Sequence, residues 1–179
     1  VSFLTNTNQQ HYAGQAQLSY LSHMMGIIAL QVITPMMGLA LVAATLRGLF
    51  GGRNAKTRQA EEHSHEPVDV GNYWADVIRP TFRFMLPLCL VWSVLLTSQG
   101  VPATLDGGPV VTPVDSTAEM TEQKIPLGPV APMVAIKQLG TNGGGWYGPN
   151  STVPLENPTP LSNFLETLAL ILVPVSVVF

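Results

Sequence analysis

Charge is what this chain has least of. Lys, Arg, Asp and Glu make up 11% of its 179 residues, against about 25% in ordinary soluble domains. So little charge cannot cover a water-exposed surface, and with 46% hydrophobic residues the composition points to a membrane protein. Cysteine is nearly absent: Cys89 stands alone in an apolar run. That excludes a disulfide framework and a cysteine metal site. The net charge of −3 offers no basic patch for nucleic acid and no polybasic membrane anchor. No Gly-Lys-Ser/Thr follows the glycines at Gly143, Gly144 and Gly145, so a phosphate-cradling loop is excluded. Val1 is not an initiator methionine, and no charged segment precedes the first polar motif, so no signal peptide is read. Apolar residues continue to Phe179. The expectation is a piece that begins inside one loop and ends inside one helix.

What is present is a repeat. Thr5-Asn6-Thr7-Asn8-Gln9-Gln10 and Thr141-Asn142-Gly143-Gly144-Gly145-Trp146-Tyr147 are polar loops, each followed by Leu-Ser and an apolar run ending at a proline, Pro35 or Pro174. Met24 to Leu46 carries no charge and at about 1.5 Å per residue can cross a hydrocarbon core of roughly 30 Å. Gln31, Thr34 and Pro35 interrupt it, which suits a helix with protein neighbours rather than a lone lipid-facing one. Met85 to Val101 is a second uncharged run, extendable back through Trp74, Phe82 and Phe84, and Leu161 to Phe179 is a third with one acid, Glu166. Of the eight Lys and Arg, all but two (Arg47, Arg53, Lys56, Arg58, Arg79, Arg83) lie between the first two runs. The positive-inside rule makes that connection cytoplasmic and puts both polar loops outside. His63 and His65 with nearby acids could hold a metal, but nothing else supports a site and a solvated connection is the reading adopted.

Gln99 to Gln123, with Pro102, Gly107, Gly108, Pro109 and Pro113, reads as an outer loop. Beyond it Pro132 suits the first turn of a helix and Gly140 its stop. A helix that short cannot span a membrane, but a re-entrant half-helix can be so short. Its C-terminus would place partial negative charge where a cation is stabilised. The loop chemistry agrees. A desolvated cation needs its hydration shell replaced, and rings of backbone carbonyls do this in potassium filters. Glycine permits the backbone angles this requires, threonine adds a hydroxyl acceptor, and asparagine adds an amide that can pin the loop from behind. Trp146 and Tyr147 could form a packed cuff. A Gly-rich loop alone is often a flexible connector; the repeated order of half-helix, polar loop and spanning helix favours a pore loop. Glu156 and Asn157 read as loop-fixing groups. Glu166 could attract cations at the mouth or sit in the headgroup layer. Lys137, beside a cation path, should point away or pair with an acid.

Ser2-Phe3-Leu4-Thr5-Asn6-Thr7-Asn8, His11-Tyr12-Ala13-Gly14, Gly128-Pro129-Val130-Ala131, Ile136 through Gly145, and Pro154-Leu155-Glu156-Asn157-Pro158-Thr159 resemble the potassium-binding A subunit of the Kdp-type potassium-transporting ATPase. The resemblance implies an all-α integral membrane fold with four helix–pore loop–helix repeats of potassium-channel type. Two of these, both incomplete, would lie here. It divides the chain into a first filter strand and spanning helix (1–46), a cytoplasmic connection (47–83) and a second repeat (84–179). It implies potassium ligands at Thr5, Asn6, Thr7, Asn8, Thr141, Asn142, Gly143 and Gly144, with support from Gln10, Gly145, Trp146, Tyr147, Glu156 and Asn157. Potassium is the implied ion, with no organic cofactor. The implied partners are a P-type ATPase B subunit, a small C subunit, a further small membrane subunit and the lipid of a bacterial or archaeal inner membrane. No Asp-Lys-Thr-Gly phosphorylation motif occurs, so ATP hydrolysis is not expected in this chain. Gln9 stands where the family commonly has an aromatic, Gln15 where it has Glu, and Trp146-Tyr147-Gly148-Pro149 replaces a Phe-Phe-Asn-Ala type of sequence. A free-standing channel or secondary transporter of the same architecture is the alternative.

Overall fold

The fold follows from three apolar helices that need neighbours and one short helix that they enclose. The structure is a computed structural model describing residues 5, 9–10, 12–56, 69–114, 121–148 and 150–178, without the side chains of 51–56 and 178. The predicted ligands Asn6, Thr7 and Asn8, together with His63 and His65, lie outside the described residues.

A single turn, α1 (Gly14–Gln17), leads to the first long helix, α2. This runs continuously through Tyr20–Ser22, a π-helical stretch His23–Ile28, and Ala29–Lys56. The Ser19 hydroxyl caps its start by accepting from the Ser22 N–H at 3.2 Å, using one of the donors a helix N-terminus leaves open. The second long helix starts with α3 (Tyr73–Pro80), passes through a π-helical turn at Thr81–Met85 directly after Pro80, and continues as α4 (Leu86–Ser98). Proline removes a helix hydrogen bond and crowds the preceding turn, and a wider π turn accommodates this. The aromatic extension through Trp74, Phe82 and Phe84 is therefore helical, beginning at Tyr73. Arg47 pairs with Asp76 and ties the far part of α2 to the start of α3.

The outer loop contains a ladder too short to read from alternation: β1 (Val110–Val111) pairs antiparallel with β2 (Gln123–Lys124). It also anchors the short helix α5 (Val130–Leu139), since the Ala131 N–H donates to the Pro102 carbonyl at 2.9 Å and the Thr104 N–H to the Gly128 carbonyl at 3.2 Å. The third long helix, α6 (Pro160–Val178), closes the group. Trp92 Nε1 joins it to α4 by donating to the Leu165 carbonyl at 2.9 Å.

Helix α5 is the centre of the core. Val130, Ala131, Met133, Val134, Ala135, Ile136 and Leu139 are buried, as are Met85, Trp92, Leu96 and Val101 around it. The outer faces of the long helices are apolar instead: Leu41, Phe82, Leu90, Val94, Phe164 and Ile171 are exposed. Tyr20–Phe50, Tyr73–Ser98 and Pro160–Val177 are each long and apolar enough to cross a membrane. A hydrocarbon surround suits such faces; water does not.

Candidate ion-binding loops

Helix α5 ends in a way that sets the loop after it. The Thr141 N–H donates to the Gln138 carbonyl at 3.1 Å and the Asn142 N–H to the Lys137 carbonyl at 3.2 Å. These are the two bonds of a Schellman cap. That cap needs a left-handed residue after the C-cap, normally glycine. Here it is Thr141, at φ 53°, where a branched side chain is unfavourable by about 1–2 kcal/mol. Gly143 and Gly144 are also left-handed, at φ 63° and 83°, while Asn142 between them and Thr141 is not. At 143 and 144 only glycine adopts this conformation without strain.

The loop is held from several directions. Asn142, buried, donates through Nδ2 to the Gln31 carbonyl at 2.6 Å, and Gln31 Nε2 donates to the Gly143 carbonyl at 3.0 Å. The Gly144 N–H donates to Asn150 Oδ1. Gln10 Nε2 reaches the Gly145 carbonyl at 3.2 Å and the Tyr12 carbonyl at 3.0 Å, so the end of the first polar loop touches the second. Trp146, 1% exposed, stacks on His23 with ring centroids 4.2 Å apart and lies against Tyr20 at 5.5 Å. Tyr147 Oη donates to the Pro126 carbonyl at 2.7 Å. Burial, then the Glu156 carboxylate, pushes the Tyr12 and Tyr147 phenols above the usual tyrosine range.

Glu156 is the hub of this arrangement. Its carboxylate accepts from Lys137 Nζ at 2.5 Å, from the Ser151 N–H at 3.1 Å and from the Tyr147 N–H at 3.1 Å. Lys137 and Glu156 are 1% and 0% exposed. The pair cancels the charge of a buried ammonium and binds helix to loop at once. Gly145 lies so close that a Cβ there would sit 2.6 and 2.8 Å from the two carboxylate oxygens. Asn157 stands apart, donating to Asn163 Oδ1 at 3.0 Å and accepting from Ser162 Oγ at 2.6 Å, and so shapes the start of α6. Glu166 is not exposed to the outside: it is 3% exposed and accepts from Gln138 Nε2 at 2.7 Å, because its face of α6 packs on α5.

Thr5 is the described residue of the first predicted strand, and it shares a cavity lining with Thr141. Both line a cavity of about 560 Å³, whose other walls include Thr34, Pro35, Leu139, Gly140 and Pro174. Sequence reasoning did not assign Gln31, His23 or Gln138 to the site. The signal for Gln31 was there, as an uncharged polar residue inside an apolar run; His23 and Gln138 had no comparable signal.

Three membrane-length helices around a short buried helix that delivers a backbone loop is the architecture of a helical membrane protein. Residues 1–179 match the family described as the potassium-transporting ATPase A subunit, KdpA, and the chain belongs to that family. It is 46% identical over 179 residues to the potassium-transporting ATPase potassium-binding subunit of Pseudomonas entomophila, with 100% of this chain and 29% of the relative covered. Identity to the protein of the same name from Nitratidesulfovibrio vulgaris (Hildenborough) is 44% over 179 residues, covering 100% and 28%. To that from Herpetosiphon aurantiacus it is 42% over 184 residues, covering 99% and 29%. The chain thus spans 29% of the length of the first of these curated relatives.

Proposed function

We propose that this chain belongs to the potassium-binding and -translocating membrane subunit of an ATP-driven potassium uptake pump. In this reading it supplies two of four pore-loop repeats. Thr5, Asn6, Thr7 and Asn8 form one filter strand, and Thr141, Asn142, Gly143 and Gly144 the next, facing outside. Residues 1–46 hold the first strand and its helix, 47–83 the cytoplasmic connection, and 84–179 the second repeat. Potassium is the cargo, selected by backbone carbonyls and passed to a P-type ATPase B subunit in a bacterial or archaeal inner membrane, with a small C subunit and a further small membrane subunit alongside. The observation that supports this most is that the two repeated threonines, Thr5 and Thr141, wall one cavity at the C-terminus of a buried half-helix, where the helix dipole favours a cation. Because a ring of four strands cannot close from two, selection belongs to the full-length subunit.

The test is ATP hydrolysis by the full-length parent assembled with its ATPase partner, titrated with potassium and with sodium. Stimulation by micromolar potassium and not by sodium is expected, and Gly143→Asp abolishes it by adding volume and charge where the backbone is left-handed. Hydrolysis indifferent to potassium overturns the pump reading. Uptake that then persists on a membrane potential without ATP assigns the same loops to a free-standing channel or secondary transporter.

A further inference from the structure

Pro35 carries the inference. In an α-helix the carbonyl of residue i accepts from the N–H four residues on. Four residues after Gln31 stands Pro35, inside α2, which has no N–H to give. The Gln31 carbonyl has therefore lost its α-helical donor, and Asn142 Nδ2 supplies one at 2.6 Å. The Gln31 side chain returns the contact by donating to the Gly143 carbonyl at 3.0 Å. The proline ring also faces the loop: a Cβ on Gly140 would lie 2.9 Å from Pro35 Cγ, so α2 and the end of α5 meet at glycine distance.

We propose that the proline gap in α2 is a docking notch for the second polar loop, and that Gln31 and Pro35 are positioning residues that set the Asn142–Gly143 backbone. The helix of one repeat thereby fixes the ion-binding strand of the next. A buried amide donor left without an acceptor is costly, so the notch defines the loop's register as well as holding it. This rests on the reading of Thr141 to Gly144 as an ion-binding strand.

Pro35→Ala separates docking from ordinary stability. It returns an N–H to the helix and so favours the helix, while that N–H competes with Asn142 for the Gln31 carbonyl. In the full-length complex, potassium-stimulated ATP hydrolysis should show the half-saturating potassium concentration rising roughly ten-fold, the equivalent of one hydrogen bond to a buried group. The sodium-to-potassium ratio of half-saturating concentrations should narrow, and the midpoint of thermal unfolding should not fall. Gln31→Met, which keeps size and removes the donor to Gly143, should give the same change and carries the test if the alanine variant does not assemble. In an Asn142→Ala background, Pro35→Ala should add less than two-fold, because the group it displaces is gone. Additive effects, or a lower unfolding midpoint moving together with affinity, overturn the notch. Gly143→Asp in the same assay separates the two failures. If it abolishes the potassium response while Pro35→Ala and Gln31→Met leave it as it was, the notch is wrong and the ion-binding strand stands. If Gly143→Asp also leaves the response intact, the strand reading itself has failed.

Discussion

Replacing Glu156 with Gln should open the loop it organises. In the native chain its two oxygens serve three donors: Lys137 Nζ at 2.5 Å and the Ser151 N–H at 3.1 Å share one, and the Tyr147 N–H at 3.1 Å takes the other. A glutamine has one acceptor end, so either the lysine side or the tyrosine side faces an NH₂ group. An orphaned buried N–H costs about 1–3 kcal/mol. Lys137, 1% exposed, meanwhile becomes an uncompensated buried charge, and breaking such a pair costs about 3–5 kcal/mol. The larger figure dominates, because the ammonium cannot reach water without moving α5, whose buried face is the core of the fold.

Hydrogen exchange of the full-length subunit in its complex reads this directly. At a factor of ten for about each 1.4 kcal/mol, protection of the amides from Gly144 to Glu156 should fall by roughly two to three and a half powers of ten. Amides in the middle of α6 should be much less affected. Adding Lys137→Met removes the stranded charge, so the double variant should regain a large part of the lost protection. Protection in Glu156→Gln within about three-fold of the parent, or strictly additive effects in the double variant, would refute the hub.

Gly145→Ala should destabilise the same loop by about 1–3 kcal/mol, since its methyl would enter the space of the Glu156 carboxylate at 2.6 Å; thermal unfolding of the complex checks this. Thr141→Gly removes the left-handed penalty at φ 53° and should raise stability by about 1 kcal/mol, while weakening the potassium response through loss of the hydroxyl. A raised unfolding midpoint with unchanged half-saturation would take the Thr141 side chain out of the ion path. The Tyr147 phenol is held above its usual pKa by burial, then by Glu156 and Tyr20. Its stabilising contribution is therefore whole below pH of about 10, where the unfolded phenol also stays protonated, and is lost as the pH climbs further. Tyr147→Phe should flatten that alkaline decline in part, Tyr12 supplying the remainder; an identical pH profile in the variant would count against it.

The three long helices were legible because uncharged runs of membrane length are a local property, and so was the short helix, bracketed by Pro132 and Gly140. The types of residue around the loop could also be read: a glycine run, an asparagine, two aromatics, an acid. What they touch could not. The Lys137–Glu156 pair, the Gln138–Glu166 bond and the Gln31–Gly143 bond join residues from different elements, and no periodicity encodes such pairings. Lys137 shows the limit well. A basic residue beside a cation path called for an acid, but Glu156 and Glu166 were both within reach, and only the packing of α5 assigns one to lysine and the other to Gln138. The β1–β2 ladder was missed for a simpler reason, since two residues per strand leave no alternation to see. The π turn at Thr81–Met85 follows Pro80 directly, where a proline inside an apolar run signals a disturbed helix without saying which kind.

How the loop is held bears on how it fails. Its backbone from Thr141 to Tyr147 is fixed by the Schellman cap of α5, by Gln31 on α2, by Gln10 from the first loop, and by Asn150 and Glu156 from the segment beyond it. Each neutral hydrogen bond contributes only about 1 kcal/mol, yet together they keep a branched residue in a left-handed conformation that no single one could enforce. In so over-determined a loop, losing one support leaves the fold standing and shifts a carbonyl by a fraction of an ångström. In the proposed ion-binding reading discrimination depends on where these carbonyls stand, so for changes at Gln31, Gln10 or Asn150 selectivity should degrade before stability does. Glu156 is the exception, because removing it strands a charge as well as a contact, and there both should fall together.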